Sequence, residues 1–143
     1  SFLSGQTSSM IILDLDYFKQ INDTFGHQAG DLVLQVVANA IVRTFPRRSD
    51  FIARFGGEEF AVIVSDTGAA DLEAIGDRLI EAVRALRIDY QGNILQITCS
   101  IGLTVCRPDD SPETVLNRAD RALYHAKQAG RDRIAIVGEE LPS

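Results

Sequence analysis

A chain of 143 residues, 45% apolar and 24% charged, is long enough for one buried core and ordinary in composition. Its net charge of −6 excludes a broad nucleic-acid footprint, so any phosphate site must be local. No apolar run approaches a membrane span and no basic-then-apolar leader opens the chain, while the two cysteines, Cys99 and Cys106, lack metal-ligand spacing and read as free thiols of a reducing compartment, the cytoplasm.

Residues 1–9 are small and polar and read as a linker remnant of a longer protein. Met10-Ile11-Ile12-Leu13 is apolar on both faces, as a central strand requires, and runs into Asp14 and Asp16, which period-two alternation puts on one face. Carboxylates on a rigid strand end suit a divalent cation, although one Asp could equally cap the next helix. Tyr17 to Phe25 predicts a short helix anchored by Phe18, Ile21 and Phe25 and stopped by Gly26. Asp31 to Phe45 is the clearest helix, with Leu32, Val33, Val36, Val37, Ala40 and Ile41 as its stripe and Pro46 as its stop.

Arg47-Arg48-Ser49-Asp50 then leads into two β-rich runs, Phe51-Ile52-Ala53 and Ala61-Val62-Ile63-Val64, separated by Arg54-Phe55-Gly56-Gly57-Glu58-Glu59-Phe60. A glycine pair between such runs predicts a hairpin. The adjacent carboxylates make it either an acidic surface turn or a place where a phosphate meets backbone and a cation meets Glu58 and Glu59. A further helix is expected from about residue 69 to 86, on Leu72, Ile75, Leu79, Val83 and Leu86, followed by a turn at Gly92-Asn93. Ile97, Cys99, Ile101, Leu103 and Val105 alternate with polar residues and glycine, which predicts a half-buried strand. Ser111-Pro112 opens the last helix, lined by Val115, Leu116, Ala119, Ala122, Leu123 and Ala126 and ended by Gly130; Ile134 to Val137 is a final strand.

Strand–helix–strand–strand–helix–strand is the ferredoxin-like order, an α+β fold with an antiparallel sheet and helices on one face. In it the first strand and the central hairpin are neighbours, which brings Asp14 towards Glu58 and Glu59. Mg²⁺ with nucleotide phosphates is the natural counter-charge to such a cluster.

These residues also resemble a known family. Gly56-Gly57-Glu58-Glu59-Phe60 is similar to the signature of the GGDEF domains, the diguanylate cyclases, in its GGEEF variant. Asp14-Leu15-Asp16-Tyr17-Phe18-Lys19-Gln20-Ile21-Asn22-Asp23, with Phe25-Gly26-His27 and Gly30-Asp31, resembles a second block of that family, and Ala119 to Lys127 with Gly130-Arg131 resembles a third. The resemblance places the domain at residues 10–138, with 139–143 as a tail, and implies a palm-type, nucleotidyl cyclase-like sheet.

The implied activity is Mg²⁺-dependent condensation of two GTP into cyclic di-GMP and two pyrophosphates, by a homodimer holding one GTP per subunit. Asp14, the Leu15 carbonyl and Glu58 are the implied ligands of two Mg²⁺, or of Mn²⁺ as a substitute, with Glu59 at the second ion. Glu58, Glu59 and Lys19 are the implied catalytic set, and Glu58 is the candidate acceptor of the attacking hydroxyl's proton. Asn22 and Asp31 match guanine contacts, because a carboxylate accepts from both guanine N1–H and N2–H. Phe18, His27, Gly56 and Gly57 match further substrate contacts, and Lys19, Lys127 and Arg131 match phosphate contacts. Arg47-x-x-Asp50, ending five residues before Gly56, has the family's spacing for an inhibitory product site, to which Arg78 would add.

The family's N-terminal helix, carrying an Asp-x-Leu-Thr-Gly-Leu-x-Asn-Arg motif, has no counterpart among these residues. The resemblance further implies an upstream sensory domain, in a parent protein that can be membrane-anchored, and no contact of this domain with nucleic acid or membrane. The alternatives are a non-catalytic GTP- or cyclic-di-GMP-binding module and a different palm-type nucleotidyltransferase.

Overall fold

The computed structural model describes residues 7–137. Along the chain lie β1 (Ser8–Leu15), α1 (Phe18–Phe25), α2 (His27–Thr44), β2 (Phe51–Phe55), β3 (Glu59–Ser65), a 3₁₀ turn (Ala69–Asp71), α3 (Leu72–Arg84), β4 (Ile88–Tyr90), β5 (Asn93–Leu95), β6 (Cys99–Val105), α4 (Pro112–Gln128) and β7 (Arg133–Ile136). The main sheet has the order β2-β3-β1-β6-β7, and β4 and β5 form a separate hairpin. β1, α2, β2, β3, α3 and β6 reproduce the ferredoxin-like core, to which α4 and β7 are appended.

Several details correct the sequence reading. β1 begins at Ser8, and Ser8 and Ser9 are buried strand residues, so the folded region starts before Met10. The expectations for residues 1–6 and 138–143 lie outside the described residues. α2 begins at His27 and not at Asp31; Gly26, at φ +95°, ends α1 and starts α2, and a helical glycine at position 30 hides that first turn from a propensity reading. The short β4–β5 hairpin around Gly92 was not expected as strands, and the last strand is shifted one residue, to Arg133–Ile136.

The sheet is mixed, because β7 runs parallel to β6. It is also covered on both faces. Ile11, Leu13 and Leu15 pack with α2 and α3, whereas Met10 and Ile12 pack with Val115, Ala119 and Leu123 of α4. β6 is therefore not half-exposed: Ser100, Gly102 and Thr104 lie beneath α4 and are as buried as Ile101 and Leu103. At Gly102 a Cβ would stand 2.3 Å from the Leu123 amide nitrogen, so only glycine allows α4 to sit this close.

α4 is also tied down by charge. Arg118, 5% exposed, grips Asp110 with two nitrogens at 3.0 and 2.6 Å and donates to Thr104 Oγ1 and the Val105 carbonyl at 2.8 and 2.6 Å. These bonds hold the Asp110 carboxyl down at about 2, with the Arg118 guanidinium as the largest cause. Cys99 and Cys106 are buried free thiols; burial raises both, Cys106 to about 11, so neither is a reactive thiolate near neutral pH. Among the described residues no helix is long and apolar enough to cross a membrane.

Candidate active site

β1 pairs with β3 in a register that sets Asp14 directly opposite Glu59, and with β6 so that Ser100 lies on Asp14's other side. The Leu15 amide donates to the Glu58 carbonyl at 3.2 Å, which ties the end of β1 to the hairpin turn. That turn is Gly56-Gly57-Glu58; Gly56 has φ +57°, and a Cβ on either glycine would meet nothing within 4 Å. Open space over two glycines beside two carboxylates leaves room for a ligand to approach the backbone.

On the face of the sheet covered by α4, Lys127 makes a short salt bridge to the Asp14 carboxylate. Asp120 lies two helical turns before Lys127, on the same helix face, and its charge acts on Glu59. Burial first, then Asp14, Asp120 and Glu58, push the Glu59 carboxyl above its ordinary value, against the opposing pull of Lys127. Partial burial also raises Asp120, offset by Lys127. Repulsion among hard oxygen donors, with one ammonium to balance them, is the setting a divalent cation relieves. Among the described residues no three acidic, histidine or cysteine side chains form a ready metal cage. The donors therefore fit a hard cation in chemistry, while Asp14 is held by Lys127. Asp120 escaped the sequence reading because a single Asp on a helix carries no metal pattern; its spacing from Lys127 was the available signal.

Asp16, which alternation puts beside Asp14, is not part of this acidic group. Its side chain is 1% exposed, and its oxygens accept from Thr98 Oγ1 and Ser100 Oγ, each at 2.7 Å, and from the Asp132 amide at 3.0 Å.

The candidate guanine residues meet at a glycine. A Cβ on Gly30 would lie 1.8 Å from Asn22 Oδ1 and 3.1 Å from Phe18 Cζ, so the Asn22 side chain rests on Gly30, next to exposed Asp31. Phe18 is buried core beneath them, and His27 is exposed at the first position of α2. A cavity of about 300 Å³ between α2 and the hairpin is lined by Asp31, Leu34, Arg54 and Phe60, among others. Lys19 stands apart: it is exposed and ion-paired with Asp23 at 2.8 Å, which raises its ammonium above the ordinary lysine value.

Arg47, Asp50 and Arg78 line a separate cavity of about 1080 Å³, together with Arg43. Asp50, its side chain 2% exposed, accepts from two Arg47 nitrogens at 3.3 and 3.2 Å and from the Ser65 amide at 3.1 Å. Arg47 also donates to the Ser65 carbonyl at 2.6 Å, and Arg78 lies over the Phe45 ring, 5.7 Å from its centroid. Asp50 thus orients Arg47, whose guanidinium stays half-exposed.

Residues 3–133 match the family model "Diguanylate cyclase, GGDEF domain". The chain is a GGDEF domain. It is 41% identical over 138 residues to diguanylate cyclase A of Treponema denticola, covering 96% of this chain and 37% of that protein. It is 46% identical over 128 residues to diguanylate cyclase DgcP of Pseudomonas aeruginosa, covering 90% of this chain and 19% of that protein. The chain therefore spans well under half the length of these curated relatives. Among solved structures, it superposes on the GGDEF domain of DgcB from Caulobacter crescentus, in complex with c-di-GMP, with a TM-score of 0.86 at 36% identity, covering 92% of this chain and 78% of that one. The GGDEF signature thus sits where the register sets it, on the turn opposite the end of β1.

Proposed function

We propose that this GGDEF domain is a cytoplasmic diguanylate cyclase that joins two GTP into cyclic di-GMP as a homodimer, one GTP per subunit, and that its product inhibits it. The observation that carries the reading is the register that seats Glu59 opposite Asp14, with Lys127 reaching the same carboxylate. Asn22 and Asp31 would take the guanine edge, and Lys127 and Arg131 would offset charge on the triphosphate. Lys19 would have to leave Asp23 to do likewise. The 3′-oxygen of one GTP attacks the α-phosphorus of the other, the α–β bond breaks with loss of pyrophosphate, and Glu58 takes the hydroxyl proton. Mg²⁺, held by Asp14, the Leu15 carbonyl and Glu58 with Glu59 alongside, would spread the phosphate charge when bound. Two facing half-sites supply the effective concentration that the second bond needs.

The test is incubation with GTP and Mg²⁺, followed by chromatography for cyclic di-GMP and pyrophosphate. Glu58→Gln should abolish turnover and leave the fold intact by circular dichroism. Titrated in excess into wild-type chain, that variant should lower cyclic product per wild-type chain and let linear dinucleotide accumulate, because mixed dimers close one bond only. GTP that is bound and never consumed would favour the non-catalytic module instead.

A further inference from the structure

Three non-glycine residues with left-handed backbones meet at one place. Tyr17 has φ 55°, Arg131 φ 65° and Asp132 φ 50°, a conformation that bulky side chains seldom adopt. Strain of this kind persists where surrounding contacts over-determine it, and it clusters at ligand clamps. Here the contacts converge on Asp16. Its carboxylate accepts the Asp132 amide at 3.0 Å and lies 3.8 Å from an Arg131 guanidinium nitrogen, while Thr98 and Ser100 fix its two oxygens at 2.7 Å. The same turn is held from behind by Arg84, which donates to the Asp132 carboxylate and carbonyl, both at 2.9 Å. On the open side the Arg131 guanidinium lies over the Tyr17 ring, 5.1 Å from its centroid, and remains 35% exposed.

We propose that Asp16 and Tyr17 are positioning residues for Arg131, one fixing its backbone turn and the other its guanidinium plane, so that it meets nucleotide phosphate already oriented. The proposal rests on the phosphate role of Arg131 given above. Both Asp16 oxygens are engaged by protein donors, so the second Asp of the Asp-x-Asp pair serves the phosphate side of the site and not the cation side. Tyr17 is 59% exposed, and its ring supplies the face a planar guanidinium prefers.

Asp16→Ala strips a buried network and can cost the fold, so the decisive variants are at exposed Tyr17. Alanine tolerates the left-handed backbone no worse than tyrosine does. Binding of a non-hydrolysable GTP analogue and of guanosine is measured by calorimetry on the 143-residue chain and its variants. Tyr17→Ala should weaken the analogue about two- to fivefold, the size of an exposed cation–π contact. Guanosine affinity should not change, Tyr17→Phe should retain the wild-type value, and Tyr17→Ala should add nothing in an Arg131→Ala background. An undiminished affinity, a parallel loss for guanosine, or an equal loss without Arg131 would overturn the inference. If Arg131→Ala leaves the analogue's affinity untouched, the phosphate role of Arg131 fails first and the inference falls with it.

Discussion

Gly30 shows how a residue without a side chain fixes the place of a neighbour. It sits inside α2, where alanine would ordinarily add about 1 kcal/mol of stability through helix propensity. The space its missing Cβ leaves is filled by Asn22 Oδ1, at 1.8 Å from where that Cβ would be. Gly30→Ala therefore has opposite expected effects on fold and function. The Asn22 amide swings away, a flexible side chain yields at little expense, and Phe18 needs to give only slightly. Thermal stability should stay level or rise, while affinity for a non-hydrolysable GTP analogue falls about fivefold, as for one lost hydrogen bond to a ligand. Calorimetric titration beside a melting curve tests this, and unchanged affinity would show that Asn22 does not need its present place. The family resemblance singles out Asn22 and Asp31 in the sequence as candidate guanine contacts. The dependence of one on Gly30 was not legible there, because a helical glycine reads as a weak helix position until the packed neighbour is seen.

Elements make the acidic strand-end site and the Arg47 cavity different in kind. The active-site side is built from strand ends brought together by register, and alternation along β1 with a hairpin between β2 and β3 was enough to foresee it. The cavity is built from the C-terminal end of α2, the connector after it, and α3, so that Arg47 and Arg78 come from segments 31 residues apart. Only the tertiary fold joins them, and the four-residue pattern at Arg47 gave no hint that Asp50, besides lining the cavity, also accepts from the Ser65 amide of β3. That difference sets the expected outcome of mutating this element. Arg47→Ala removes an exposed guanidinium and leaves Asp50 its bond from the Ser65 amide, so the hairpin should remain in place. Initial rates without product should match wild type within about twofold, while inhibition by added cyclic di-GMP weakens by at least about tenfold, the size of one bidentate charge-assisted contact. Equal inhibition constants for the two proteins would move the inhibitory site elsewhere.

Over the whole molecule, the sequence carried the ferredoxin-like core and missed the second layer. The α4 pattern showed an apolar face, and nothing in periodicity says which side of a sheet a helix will cover. The clue was β6, whose small alternate residues Ser100, Gly102 and Thr104 read as a solvent face and instead make room for a helix. Arg118 was equally misleading, since a charged residue is expected outside and this one is buried against Thr104 and Asp110. The layer that brings Lys127 to Asp14 is therefore held by apolar packing and by one buried ion pair, and the strength of that pair depends on pH. Asp110 titrates at about 2 in the folded chain against 3.8 for an ordinary Asp. The unfolded chain thus binds more protons in that interval, and stability is fully present above about pH 4 and lost as pH falls through about 2. That depression corresponds to about 2 kcal/mol. Asp110→Asn, which mimics the protonated acid, should be less stable by about that amount at pH 7 in urea denaturation. The gap between variant and wild type should close as pH approaches 2, because the wild-type carboxyl is then protonated as well. A gap of the same size at both pH values would mean that the carboxylate's charge does not help to hold α4 to the sheet.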